Sequence, residues 1–379
     1  MIVLLEPFYG GSHKRLIDWL HGLLVDECKS TRVALLTERA AKWHWRARCS
    51  ALTLEKRVAE LELQKCPGRI TVFASSVVDL AGLVALRPEL SSARKLLYFH
   101  ENQLVYPVQR SESGDFQFGY NQILSCLVAD EVLFNSHFNM RSFLDRVPAF
   151  LNRIPGYSDA DSVAERIRPK CRVLNFALEL PVLAGDSVEG RSGRFADPKL
   201  LHIVWPHRCE HDKGPDTFFR VLDSLLEEGK RFALSILGQS FGEQPSCFEE
   251  ARERFAARSE QVTVVRWCPL ESREDYFQLL LDADVVVSTA KHEFFGAAMI
   301  EAAYCNCYPL CPAALAYPEI FPKACLYSTE TQLRKRLGAF CDAPSRARDE
   351  WQRLGLDLDK YSTTHLKSCY LELFMDESK

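Results

Sequence analysis

The feature that most limits what this chain can fold into is a repeated alternation of short apolar runs with segments of helical periodicity. Buried parallel strands read as nearly unbroken apolar runs, and each needs a crossover helix before the next strand. A first series has such runs at Ile2–Leu5, Arg32–Leu36, Ile70–Ala74, Lys95–Phe99 and Glu131–Asn135, with helical patterns that include Tyr120–Ala129 and Phe138–Arg146. A second has runs at Leu201–Trp205, Phe232–Leu237, Val262–Arg266 and Asp284–Ser288, with helical patterns at Pro215–Glu228, Ser246–Arg258, Arg273–Asp282 and Ala298–Cys305. Between them Pro181, Gly185, Gly190, Ser192, Gly193 and Pro198 crowd into a stretch suited to a linker. The expected organisation is α/β. Two Rossmann-like parallel-sheet domains, residues 1–180 and 199–350, are joined by a linker over 181–198. A helical segment over 351–379 packs back toward the first domain. The two sheets are expected to face each other across a cleft, and open α/β folds take ligands at the carboxyl ends of their strands.

Composition excludes several classes. The 379 residues are 47% hydrophobic and 26% charged, so the chain is neither disordered nor low-complexity. No apolar run reaches the ~18 residues that span a bilayer. The run after Met1 is too short for a signal-peptide core. The fourteen cysteines contain no Cys-x-x-Cys, so they read as reduced thiols of a cytoplasmic protein, a nuclear pool being allowed. Cys305, Cys307 and Cys311 lack common zinc spacing and read as packing residues. The net charge of −4 hides an asymmetry. Residues 1–180 hold 23 Lys and Arg against 20 Asp and Glu, and residues 181–379 hold 24 against 31. An anionic macromolecule should prefer the first half.

Four segments fall where a strand gives way to a loop. Glu6-Pro-Phe-Tyr-Gly10-Gly11-Ser12-His13-Lys14 joins the first strand to a helix whose N-cap is expected at Ser12. Its two glycines suit either a phosphate-cradling turn or a tight turn alone. His100, Glu101, Asn102 and Gln103 follow another strand, where His100 can orient a hydroxyl. Trp205-Pro-His207-Arg208-Cys-Glu210-His211-Asp212-Lys213-Gly214-Pro215 places Arg208 and Lys213 on one loop, suited to two diphosphate oxygens. The same loop also allows a solvated turn, or a metal site at His207 and His211. Lys291-His-Glu293-Phe-Phe295-Gly296-Ala297-Ala-Met-Ile-Glu301 sets one carboxylate before a glycine turn and another one helical turn beyond it. A helix N-terminus flanked by two carboxylates suits a nucleotide sugar, since one acid can hold sugar hydroxyls and the other the ribose. Asp282-Ala-Asp284 reads as a helix end and strand start without metal.

The first half also carries Lys42-Trp43-His44-Trp45-Arg46-Ala-Arg48 followed by Lys56-Arg57, five basic residues with one acid, Glu55, over 42–57. Cations hold phosphates and indoles stack on unpaired bases, as an RNA loop requires. The competing reading is a solvated helix with its tryptophans turned inward.

Several of these segments carry a resemblance. Glu293 and Glu301 resemble the Glu-x7-Glu motif of retaining GT-B glycosyltransferases, and Arg208 with Lys213-Gly214 their diphosphate-binding pair at the same spacing. His100 falls where those enzymes carry an active-site histidine, and Gly10-Gly11 where they carry a glycine loop. A closer similarity is to the tRNA-queuosine α-mannosyltransferases. It is carried by Glu6–Lys14, Lys42–Arg48, Tyr98–Gln103, Asn121–Cys126 and Thr289–Gly296, and runs from Ile2 to at least Tyr327. Asn306 stands where a glycine is expected between two cysteines. The resemblance implies a GT-B fold and transfer of mannose from GDP-mannose, with retention, to the cyclopentenediol of queuosine at the wobble position of tRNA-Asp. It implies no metal and no resident cofactor. Under it, His100, Glu293, Arg208 and Lys213 are catalytic. Gly10, Gly11, Phe295, Gly296, Ala297 and Glu301 complete the donor site. His13, Glu101 and Asn102 lie on the acceptor side, and Lys42, Trp43, His44, Trp45, Arg46, Arg48, Lys56 and Arg57 bind the anticodon loop. No membrane partner is implied. A GT-B enzyme with another donor, or with a glycan or lipid acceptor, and a non-catalytic binder of the same fold remain the alternatives.

Overall fold

The computed structural model describes residues 1–105, 115–183, 197, 199–238, 245–267, 270 and 272–375. Most of the expected linker therefore lies outside the described residues. The chain divides into two compact units, Met1–Ala177 with Thr364–Lys379, and Leu178–Thr363.

The first unit is built on six parallel strands: β1 (Ile2–Tyr9), β2 (Val33–Arg39), β3 (Thr71–Ser75), β4 (Arg94–Phe99), β5 (Glu131–Phe134) and β6 (Cys171–Val173). Their order in the sheet is β2-β1-β3-β4-β5-β6. The second holds β7 (Leu201–Trp205), β8 (Phe232–Ile236), β9 (Val262–Trp267), β10 (Val285–Val287), β11 (Tyr308–Pro312) and β12 (Leu326–Tyr327), in the order β12-β11-β10-β7-β8-β9. Each sheet reverses its winding once, between β1 and β3 in the first and between β7 and β10 in the second. In open α/β sheets the carboxyl edge at such a reversal is where ligands bind. Leu5, Val72, Leu97 and Phe134 lie in one apolar core of the first unit.

Local chemistry accounts for the departures from expectation. β1 runs on through Glu6-Pro7-Phe8-Tyr9, but its ladder with β3 stops at Leu5 and its register with β2 shifts between Glu6 and Tyr9. Pro7, which has no N–H to donate, thus sits beyond the regular pairing. The next helix starts at Gly11 with Gly10 as N-cap and no side-chain cap, so Ser12 lies inside its first turn. The helix His137–Leu151 continues past Arg146 through Pro148, which sits in the last turn. Asn306 adopts φ +70°, the left-handed conformation that favours glycine and that asparagine tolerates best among the rest. The closing helix Thr363–Glu372 packs into the first unit. Tyr370 is fully buried there and donates to the Asn175 carbonyl at 2.9 Å, beside the Trp19 ring at 4.9 Å.

Candidate functional site

In the second unit the two loops at the winding reversal are bound to each other. Thr289 receives the Trp205 indole N–H at 3.3 Å and donates to the Lys213 carbonyl at 3.0 Å. The amides of Lys291 and His292 donate to the Asp212 carbonyl at 2.8 and 3.3 Å. Gly214 has φ +64°, and a Cβ there would collide with the Thr289 carbonyl. Only glycine lets the loops approach this closely.

This frame holds an ion cluster. The Lys213 ammonium is buried; it donates to the His292 carbonyl at 2.8 Å and lies 3.3 Å from both Glu293 and Asp212. Glu293 also accepts the Phe295 and Gly296 amides at 3.3 and 3.0 Å. Burial pushes the Glu293 carboxyl up, but Lys213, His207 and those amides outweigh it and hold it at about 2. Arg208 pairs with Glu210 at 3.2 Å and keeps nearly half its side chain exposed. Gly296 caps the helix Ala297–Tyr304, whose first amides are thereby presented beside Glu293. Lys213, Glu293, Phe295, Gly296 and Ala297 thus come together around one helix N-terminus at one strand edge, with Arg208 on the loop that carries Lys213.

Glu301 lies in the same helix but is 2% exposed and already engaged, by Arg273 at 2.8 Å and the Tyr276 hydroxyl at 3.2 Å. Arg273 lies over the Phe277 ring at 4.4 Å. Sequence reasoning missed both partners, because the helix Arg273–Asp282 shows only ordinary amphipathic spacing. His207, read from the sequence only as a metal ligand paired with His211, lies beside Lys213 and Glu293. It is 4% exposed, and its Nε2 has no hydrogen-bond partner among the described residues. Burial and the nearby Lys213 lower its pKa to about 4, so the ring is neutral at pH 7. His207 is buried and His211 exposed, which does not suit a shared ion. Asp284 precedes β10 at the opposite edge of the sheet, where it accepts the His202 amide at 2.8 Å and pairs with Arg348 at 2.7 Å. It is spent on structure.

In the first unit His13 lies between two carboxylates, with Nδ1 3.0 Å from Glu6 and Nε2 3.4 Å from Glu101. Its ring stacks on His100 at 3.9 Å. Burial opposes charge on His13, yet Glu6 and Glu101 lift its pKa to about 10. Burial and that cation keep His100 well below the ordinary histidine value. Glu6, His13 and His100 are the one group of metal-type ligands close enough among the described residues. Imidazole lone pairs lie in the ring plane, so rings stacked at 29° present them side by side instead of converging on an ion. Both nitrogens of His13 are also occupied. Asn102, expected on the acceptor side, is fully buried. Its amide donates to Asn139 at 2.9 Å and Ser142 at 3.1 Å, and its oxygen accepts the Leu104 and Val105 amides. It braces the loop that carries His100. Gly10 lies against Ala40, and Gly11 has φ +52°.

The basic-aromatic segment forms the helix Trp43–Ala59, with Lys42 as N-cap. Half of it turns inward. Trp43 packs on Phe118 at 5.1 Å, Arg48 lies over the same ring at 4.6 Å, Arg46 pairs with Glu38 at 3.1 Å and Arg57 donates to the Thr37 carbonyl at 2.6 Å. Lys42, His44, Trp45 and Lys56 are exposed, Trp45 by 56%.

Solved structures of the same fold include HepE from Anabaena in complex with UDP, 14% identical over 98% of this chain and 99% of that chain with a TM-score of 0.64. Another is the N-terminal domain of a Candida albicans trehalose-6-phosphate phosphatase, 12% identical over 100% and 97% with a TM-score of 0.71. Residues 186–324 match the family of glycosyl transferases group 1, and the chain is a glycosyltransferase of the GT-B class. Residues 1–178 match the N-terminal family of tRNA-queuosine alpha-mannosyltransferases. A Drosophila melanogaster tRNA-queuosine alpha-mannosyltransferase is 43% identical over 378 residues, 98% of this chain and 96% of the fly protein, and the chain belongs to that family. Among the described residues no helix is long and apolar enough to cross a membrane.

Proposed function

We propose that the protein transfers mannose from GDP-mannose to the cyclopentenediol of queuosine at the wobble position of tRNA-Asp, with retention of the α configuration. The observation that carries this reading is the Lys213–Glu293 cluster at the N-terminus of the helix Ala297–Tyr304, in a chain so similar to a queuosine mannosyltransferase. A diphosphate is a leaving group whose growing charge must be met by fixed cations and N–H donors. Arg208, Lys213 and the helix amides supply both. The Glu293 carboxylate, ionised at any physiological pH, accepts hydrogen bonds from mannose hydroxyls, and Glu301, oriented by Arg273 and Tyr276, accepts from the ribose. His100 contacts the mannose or the acceptor.

Among the described residues the carboxylates of the site, Glu293 and Glu301, are given to hydroxyl recognition in this reading, which supports attack on the face that the diphosphate leaves. The acceptor hydroxyl oxygen bonds to the anomeric carbon, the carbon–oxygen bond to the diphosphate breaks, and the departing diphosphate oxygen takes the hydroxyl proton. No metal enters these steps, since fixed cations meet the developing charge. Lys42, His44, Trp45 and Lys56 are the groups of the basic helix best exposed to the anticodon loop, phosphates going to the cations and a base to Trp45. The reading places the enzyme in the cytoplasm with its tRNA, with a nuclear pool allowed. Arg208→Ala, Glu293→Ala and His100→Ala should each abolish turnover in folded protein. Undiminished turnover in all three would reject the site.

A further inference from the structure

The imidazole of His13 lies nearly face to face with His100, and no step of the proposed reaction uses it. It sits in the first turn of the helix Gly11–Glu27, at the carboxyl edge of β1. Glu6, the residue of β1 that reaches it, is 1% exposed and is itself held by the Phe8 amide at 2.8 Å. Glu101 approaches from the other side, in the turn after β4, with only a fifth of its side chain exposed. A histidine with a carboxylate at each nitrogen must carry both protons to bond both, and is then a cation. That cation lies 3.9 Å from the next ring, at 29° to it.

We infer that His13 is a positioning residue: clamped between Glu6 and Glu101, it lies as a fixed cation against His100, sets the plane of that ring and excludes a second positive charge from it. The inference rests on the proposed reading only in giving His100 a substrate to touch.

The charged and titratable groups around the pair come from every element packed against it. Glu6 faces it from β1 and Glu101 from the turn after β4. Tyr98, on β4, meets His100 edge-on at 5.0 Å, and its hydroxyl donates to the Leu174 carbonyl at 3.2 Å. Phe176 lies 5.9 Å from His100 on a further side, with the Arg15 guanidinium over its outer face. Among the described residues only His13 is both charged and in ring contact with His100. Two like charges at this separation disfavour one another strongly, so the clamped ring keeps its neighbour neutral at pH values where a free histidine is charged. A neutral imidazole retains one donor and one acceptor, and can take a proton from a sugar hydroxyl or give a hydrogen bond to it. An imidazolium can only donate.

The test follows both rings by NMR in the ligand-free protein labelled with 15N-histidine, so it does not depend on the donor or the acceptor. In the native protein His13 should show both ring protons at pH 8, and His100 should stay neutral through the range in which a free histidine takes up its proton. In His13→Gln the midpoint of His100 should rise by about one pH unit or more, with the acid limb of kcat/KM moving up alongside it. Glu101→Gln lies on the more exposed side and keeps the stack, so it serves where His13→Gln does not fold. There the midpoint of His13 should fall by about one pH unit. An uncharged His13 in the native protein, a His100 midpoint unmoved in folded His13→Gln, or a His13 midpoint unmoved in Glu101→Gln would each overturn the inference. Failure of mannose transfer with native titrations would count against the proposed reaction and leave the clamp standing.

Discussion

Glu293→Gln separates the charge of that residue from its shape. The amide oxygen can still accept the Phe295 and Gly296 amides, but Lys213 loses a carboxylate 3.3 Å away. The carboxyl is held at about 2 against an ordinary 4.5. A tenfold change in proton affinity corresponds to about 1.4 kcal/mol, so the ionised form stabilises the fold by something on the order of 3 kcal/mol. The folded value is the depressed one. The stabilisation is therefore complete above pH 4.5 and is lost as the pH falls through about 2. Urea unfolding of native protein and Glu293→Gln should differ at pH 7 by that amount, and the gap should narrow by about 1 kcal/mol for each pH unit below 4.5. A gap constant from pH 7 to pH 3.5, or none at pH 7, would refute the electrostatic account of the site.

Three further outcomes follow from the geometry. Tyr276→Phe removes one hydrogen bond to Glu301 and should raise the donor KM roughly fivefold, about 1 kcal/mol, with kcat little changed; an unchanged KM would separate Glu301 from the donor. Trp45→Ala combined with Lys42→Glu and Lys56→Glu should weaken tRNA binding by roughly tenfold or more and flatten its salt dependence, with the donor KM unaltered. An unchanged filter-binding curve would move the RNA surface elsewhere. Arg348→Ala leaves the fully buried Asp284 without its counter-charge and should destabilise the second unit by about 2 kcal/mol, less than a wholly buried pair because Arg348 is 37% exposed; Asp284→Asn in the same protein should recover part of the loss, as read by thermal unfolding.

Nine of the twelve strands among the described residues were legible because buried parallel strands are written as unbroken apolar runs, and the second unit's two site loops because Gly214 and Gly296 interrupt strand-to-helix transitions. β6 and β12, of three and two residues, are too short to show any period, and β11 reads Tyr-Pro-Leu-Cys-Pro, in which two prolines break the apolar run. The pairing of Lys213 with Glu293, 80 positions apart, depends on β7 and β10 being neighbours across the winding reversal, which no local pattern announces. The same holds for Arg273 and Tyr276 on Glu301. The basic segment shows the opposite limit. Its composition points to RNA, but helical phase decides that Trp45 and Lys56 face outward while Arg46 and Arg48 serve the fold. Glutamate at those two arginines would thus test folding more than RNA binding. Asn306 is the small case in which a departure from the family was visible in sequence, and its cause only in a backbone angle.

The central claim is tested most directly by incubating the protein with tRNA that carries either queuosine or guanosine at the wobble position, together with radiolabelled GDP-mannose, UDP-glucose or UDP-galactose. The account predicts label in RNA from GDP-mannose alone, on queuosine-containing tRNA-Asp alone, and α-mannosyl-queuosine on digestion of that RNA. Label from a UDP-sugar, label on guanosine-containing tRNA, or a β-linked product would contradict it.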